Sequence, residues 1–155
     1  MLKITSTREG STVIAHISGN MDENTDFNGA LGEQFGHLDL YCKNVTRINS
    51  VGIGIWIAYF KKLQDLGIKI ALHECSTALV EQMNMIVNFS AGLDIQSFLA
   101  PYSCEKCESN TAVVFKTAEL RRNNWEIPKE ICPQCGGASV FDDVPSEYFS
   151  FIKSK

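Results

Sequence analysis

The stretch Arg47-Ile48-Asn49-Ser50-Val51-Gly52-Ile53-Gly54 runs directly into Ile55-Trp56-Ile57-Ala58-Tyr59-Phe60-Lys61-Lys62-Leu63, and its reading decides the fold. The apolar run is longer than a typical strand of about 5–6 residues. It ends at Asp65-Leu66-Gly67, with a glycine just past the last apolar turn, the usual helix stop. The spacing therefore predicts a strand end, a turn at Asn49-Ser50 and a buried helix. Ser50 stands at the start of that helix, where its hydroxyl is suited to cap an orphan backbone N–H. The same position suits a phosphate, because helix N-termini favour anions and a phosphoserine adds charge and acceptors there. Gly52 and Gly54 leave room for another backbone to approach.

Working outward, residues 3–7 and 12–17 flank the turn Arg8-Glu9-Gly10-Ser11 and read as a β-hairpin. Asp22, Asn24 and Thr25 are candidate N-caps for a helix over 26–35, with Phe27, Ala30, Leu31 and Phe35 at helical spacing. Residues 37–41 and 68–73 read as strands. Ser76 is placed to cap a helix carrying Leu79, Val80, Met83, Ile86 and Val87, and 95–99 reads as a last strand. The order β-β-α-β-α-β-α-β predicts an α/β fold, a mixed sheet with helices packed on one side, over residues 1–100. Pro101 is read as a break, with a second module over 101–155.

The chain has 155 residues, 45% of them apolar and 21% charged, with a net charge of −4. That balance suits a globular domain and argues against a dominant nucleic-acid role, which normally brings a basic excess. No N-terminal stretch has the build of a signal peptide. The longest apolar run falls far short of the about 20 residues that cross a bilayer. A soluble cytoplasmic protein is expected, with no membrane contact.

Four of the six cysteines form two C-x-x-C pairs, Cys104/Cys107 and Cys132/Cys135. In a reducing compartment that pattern favours metal over disulfide. Each pair sets two sulfurs on one tight turn, and two such turns complete the tetrahedral S₄ shell that structural zinc prefers. The 24 residues between Cys107 and Cys132 slightly exceed the usual spacer of about 15–20. They predict a hairpin built from 112–117 and the region near 125–127. With no His, Asp or Glu at ligand spacing, the expected shell is closed and the Zn²⁺ structural. With little core of its own, the module is expected to couple metal binding to folding.

Other residues carry weaker signals. His16, His37 and His73 are dispersed on predicted strands, and no nucleophile with a base is apparent, so no enzymatic activity is expected. Cys42 and Cys75 read as buried structural thiols. Trp56, Tyr59, Phe60, Met83 and Met85 read as packing residues. Arg121-Arg122-Asn123-Asn124-Trp125 combines cations, amides and an aromatic that suit phosphates and a base. It reads first as a solvated hairpin tip.

Residues 1–100 resemble a STAS domain, the fold of anti-sigma factor antagonists and of the cytosolic ends of sulfate transporters. Gly19-Asn20-Met21-Asp22-Glu23-Asn24-Thr25 is similar to the family's G-x-L-D-x-x-T, and Asn49-Ser50-Val51-Gly52-Ile53-Gly54 to its D-S-x-G-L-G. The resemblance implies a signalling module that binds a protein partner, an anti-sigma factor that is itself a histidine-kinase-like ATPase. It implies Ser50 as phosphoacceptor, with phosphate blocking binding. Asp22, Asn49, Ser50, Gly52 and Gly54 would then form the partner surface. The sequence departs from the motif at Asn49, where the family has Asp. The alternative reading is a zinc-ribbon nucleic-acid adaptor using Arg121 and Arg122, with the first domain as a homodimerisation platform.

Overall fold

In the computed structural model, which describes residues 1–32 and 36–153, the period-two pattern of the early strands becomes a one-sided sheet. Strands β1 (Lys3–Glu9) and β2 (Thr12–Met21) form the antiparallel opening hairpin. Helix α1 (Phe27–Leu31), β3 (His37–Ile48), α2 (Ser50–Asp65), β4 (Lys69–His73), α3 (Thr77–Met85), a 3₁₀ turn at Val87–Phe89 and β5 (Asp94–Ile95) follow. The sheet order is β1-β2-β3-β4-β5, and every pairing after the first is parallel. Val13, Ala15, Ile17, Leu38, Leu40, Cys42, Ile70 and Leu72 lie in one apolar cluster with Phe27, Leu31, Trp56, Phe60, Leu63, Leu79, Val80 and Met83 of the helices. The intervening positions, His16, His37, Asp39, Tyr41, Lys43 and His73, are exposed or half-buried. Parallel sheets are usually covered on both faces; here the polar alternation leaves one face open.

Several local expectations change. Helix α1 is capped by Asp26, whose Oδ1 accepts from Gly29 N at 3.0 Å, and it ends at Leu31 rather than running over 26–35; Phe35 lies outside the described residues. Strand β3 extends well past Tyr41, because its pairing with β2 continues through two register shifts to Met21↔Ile48. Ser76 caps α3 as expected, with its hydroxyl accepting from Leu79 N. Met85 and Val87 are exposed rather than packed.

The strand expected over 95–99 is divided. β5 closes the first sheet, and after Gln96 the strand β6 (Ser97–Cys104) opens a second one. Pro101 sits inside β6 opposite Ala112, so no break occurs there. Pro101 O accepts from Asp142 N, so the position that lacks an N–H faces the β9 side. Pairing with β9 begins only at Tyr102, and no ladder bond is lost.

The second sheet is antiparallel, in the order β7-β6-β9-β8, with β7 (Asn110–Lys116), β8 (Glu130–Ile131) and β9 (Ala138–Phe141). The hairpin is β6–β7, not 112–117 with 125–127. Residues Thr117–Arg122 form helix α4, and Trp125 occupies a turn at φ +64°. The aromatic end folds back as two short helices, α5 (Pro145–Tyr148) and α6 (Ser150–Lys153). Phe98, Tyr102, Phe115, Tyr148, Phe149 and Phe151 are all buried, so the module has an aromatic core where little was expected. Asn84 of α3 locks it to the first sheet's helices: its Nδ2 donates to Tyr148 O at 3.1 Å, and its Oδ1 accepts from Ser150 Oγ and Phe151 N. Among the described residues, no helix is long and apolar enough to cross a membrane.

The start of α2 is seated on the end of β2. Asn49 N donates to Met21 O at 3.1 Å, and a Cβ on Gly52 would lie 2.4 Å from that same oxygen. A Cβ on Gly54 would meet nothing within 4 Å. Gly52→Ala is therefore expected to destabilise by about 1–3 kcal/mol through overpacking. Gly54→Ala is expected to be neutral or to stabilise by up to about 1 kcal/mol, the helix-propensity difference. Urea melts of the two variants beside the parent check both.

Candidate functional site

Two strand ends and one helix start converge where β2 and β3 leave the sheet. Asp22 turns the chain after β2: its backbone N–H donates to Thr25 Oγ1 and its Oδ1 accepts from Asn24 N at 2.9 Å, while Thr25 N donates to Asp22 O. Gly19, at φ +100°, packs so closely on the chain start that a Cβ would lie 2.5 Å from Met1 O. Gly19, Asp22 and Thr25 thus each have a local structural duty.

The cap of α2 is Asn49 rather than Ser50. Asn49 Oδ1 accepts from Gly52 N at 2.8 Å, and its Nδ2 donates to Glu23 Oε2 at 3.1 Å. The reason is geometric: Asn49 has extended backbone at the N-cap, whereas Ser50 is already the first helical residue. The Ser50 side chain is exposed, and its hydroxyl makes no hydrogen bond among the described residues. The Asn49–Glu23 bond ties the Asp22 loop to the Ser50 turn. Of the expected surface residues, Asp22, Asn49, Ser50 and Gly54 gather at this corner. Gly52 is buried beneath it against Met21.

Two residues here escape sequence reasoning. Glu23 is paired to Asn49 across the loop, and Val51 is 53% exposed beside Ser50. The acid Glu23 follows Asp22 directly, but nothing local marks it as a partner of Asn49. Val51 reads as core because the run that contains it is apolar. Beyond Val51 the exposed side of α2 borders a groove of about 290 Å³ lined by Thr25, Phe27, Ile55, Ala58, Tyr59 and Lys62 among others.

The second site is the cysteine quartet. The sulfurs of Cys104, Cys107, Cys132 and Cys135 all lie within 4.8 Å of one another. Cys104–Cys135 and Cys107–Cys132 are 3.5 and 3.6 Å apart. A tetrahedral shell with metal–sulfur bonds of about 2.3 Å has edges of about 3.8 Å, so the spacing suits a metal. Cys104 and Cys132 are buried and Cys107 and Cys135 exposed. Backbone amides of Lys106 and Cys107 point at Cys104 Sγ, that of Gln134 at Cys132 Sγ and that of Gly137 at Cys135 Sγ. The hydroxyl and backbone N–H of Ser109 hold the Cys107 thiol down at about 6. The Gly137 amide favours the Cys135 thiolate, yet the Cys104 and Cys107 sulfurs outweigh it and push that thiol up to about 12. Four thiolates repel one another without a cation between them; a divalent ion removes the conflict.

Among the remaining candidates, Cys42 and Cys75 are buried as expected, whereas the histidines and the Arg121–Trp125 stretch are placed differently. The three histidines gather on the open sheet face: His37 and His73 both hydrogen-bond Asp39 Oδ1, at 3.2 and 2.9 Å, and His16 and His73 stack on opposite sides of Tyr41. Burial would raise the Asp39 carboxyl, but the bonds from His73 and His37 hold it below the usual range. Cys42 and Cys75, distant in sequence, are fully buried neighbours, and burial followed by the contact with Cys75 raises the Cys42 thiol well above normal. Both read as inert. Arg121 closes the C-terminal helix, with its guanidinium donating to Ile152 O at 3.1 Å. Trp125 lies near Phe149, with Lys153 Nζ 5.2 Å above its ring.

No family model matches the chain. No curated protein matches it significantly.

Two outcomes follow from these geometries. Elemental analysis of the purified chain is expected to give one thiophilic metal ion per molecule, lost in Cys104→Ser and Cys132→Ser. Far-ultraviolet dichroism should retain the helical signal in both variants, since the aromatic core and the first sheet do not depend on the ion. For the cap, Asn49→Ala should cost about 1 kcal/mol, and Asn49→Asp should keep the Gly52 bond and most of that stability, read from chemical denaturation.

Proposed function

We propose that the chain is a non-catalytic, cytoplasmic interaction module of the STAS type, engaging a protein partner through the Asp22/Ser50 corner. The observation that carries this reading is Ser50 itself. Its hydroxyl is exposed and unspent on the first turn of a long helix, while the capping duty it was suited for is done by Asn49. Around it lie exposed Val51, the open position Gly54 and the loop held by Asp22 and Thr25. Small and apolar groups beside a free hydroxyl favour close approach of another protein, since the core of such a contact is depleted in charge.

The same geometry supports Ser50 as a phosphoacceptor. A phosphate there gains from the helix N-terminus, about 0.3–1 kcal/mol at an exposed site. It also adds about −1.5 to −2 charges near the Glu23 carboxylate and over the approach to Val51. Bulk and charge in that spot would oppose a partner that packs on Val51. The partner class that the motif resemblance implies is an anti-sigma factor or related histidine-kinase-like ATPase.

For the second module, four cysteine sulfurs with no oxygen or imidazole among them favour zinc in a closed shell. Bound zinc would supply charge neutralisation and cross-link the two turns. Its residues would hold β6 to the loop before β9 and leave no open coordination position for chemistry. A nucleic-acid role is less well supported, because Arg121 is spent on Ile152 O and the Trp125 ring is covered by Lys153.

The test is capture from native extract with the tagged full chain, alongside Ser50→Ala, Ser50→Glu and Val51→Glu. Wild type and Ser50→Ala should retain the same ATPase partner, and both glutamate variants should lose at least tenfold of it. Capture indifferent to Ser50→Glu and Val51→Glu would sink the assignment of this corner.

A further inference from the structure

The open face of the first sheet carries a second constellation, independent of the Ser50 corner. The ladder registers place Thr5, His16, Tyr41 and His73 in one line across four strands, and directly opposed residues share a face. Beside this line is a cavity of about 380 Å³ bordered by Lys3, His16, Ser18, Tyr41, Lys43 and Glu74, among others. Its size falls within the roughly 300–1,000 Å³ of small-molecule sites.

Three features set this cavity apart from ordinary polar surface. The first is a register shift between His16↔Tyr41 and Ser18↔Asn44. It inserts one extra residue in β3, so that the consecutive residues Lys43 and Asn44 both border the cavity. Bulges commonly re-aim side chains at functional sites. The second is Glu74, a non-glycine residue at φ +52° whose backbone N–H is held by Ser97 Oγ at 2.7 Å. This left-handed conformation costs roughly 1–2 kcal/mol and sets Glu74 on the rim. The third is a rigid wall: Asp39 holds His73, His73 stacks on Tyr41 at 4.5 Å, and Tyr41 stacks on His16 at 4.8 Å.

The groups this wall presents are mostly donors. Lys3, His16, Tyr41 and Lys43 make no side-chain hydrogen bond or ion pair among the described residues. The nearby acid Asp39 is already engaged by two imidazoles, which leaves Glu74 as the free acid at the rim. Cations and donors on one side, with a single acceptor opposite, complement an anion that also carries hydroxyl groups. We propose that this cavity binds a small organic anion, a phosphorylated or carboxylated molecule of about sugar-phosphate size, with Lys3 and Lys43 on the acid group and Glu74 on a hydroxyl.

Isothermal titration calorimetry of the full chain at low ionic strength tests this, with glucose 6-phosphate as phosphate probe, citrate as carboxylate probe and glucose as neutral control. At least one anion is expected to bind saturably at one site per chain, and glucose is expected not to bind. Lys43→Ala and Lys3→Ala should each weaken that anion about tenfold, the order expected for one charge-assisted bond. Their melting temperatures should stay at the parent value, since both side chains are exposed. Which anion binds distinguishes the phosphate from the carboxylate source. Failure of both anions to saturate, glucose binding as tightly as either, or undiminished affinity in the Lys3→Ala/Lys43→Ala double variant would overturn the proposal.

Discussion

The carbonyl of Met21 is the point on which the first sheet, its longest helix and the Ser50 corner all rest. It closes the β2–β3 ladder at Met21↔Ile48, receives Asn49 N and lies against the first turn of α2. Only a glycine at position 52 lets the helix come that close, since any Cβ would meet the carbonyl at 2.4 Å. With that end fixed, Asn49 can cap the helix and reach Glu23 in the same stroke. The other end of the constraint is Trp56, one turn on, which donates from Nε1 to Phe89 O and stacks on Phe89. The helix is pinned at its start by backbone and in its middle by an aromatic, so Ser50 is presented on a rigid support.

A helix seated on one face of a sheet leaves the other face to be accounted for. Here the first half of β3 alternates, with Leu38, Leu40 and Cys42 inward and His37, Asp39, Tyr41 and Lys43 outward. The outward row is not merely solvated. Its imidazoles and carboxylate are joined to each other, and its rings are stacked strand to strand. That ordering limits the side-chain freedom that a ligand would otherwise have to restrict on binding.

Features set by a few neighbouring residues were legible in the chain itself. The alternation of the strands, the Ser76 cap, the helix stop before Gly67 and the two C-x-x-C turns all depend on contacts within four residues, and all appear where read. What escaped reading depends on register between distant segments. His37 and His73 meet at Asp39 only because β3 and β4 pair in parallel with Asp39 opposite Ala71. Pro101 looks like a break until the position of β9 shows that its missing N–H faces beyond the ladder. Asn49 and Ser50 are equally good caps by composition, and the choice between them is made by which one leaves the sheet in extended conformation. The aromatic tail was visible as a cluster of rings, but its destination, Asn84 and the face of Phe98, lies far back in the chain.

That tail also limits what the cysteine quartet does for the fold. A small ribbon usually owes its order to the ion, because it buries too little else. In this chain β6 grows out of the first sheet at Ser97, and the rings of Phe98, Tyr102, Phe115 and Phe149 pack around it before the cysteines are reached. Tyr148 and Phe151 complete the cluster from the opposite side, fixed by Asn84. A bound ion would therefore order only the far tip, where Cys104, Cys107, Cys132 and Cys135 join two turns beyond the aromatic layer. The stem thus has its own aromatic layer, and the cysteine quartet, with exposed Ile131 beside Cys132, lies beyond it.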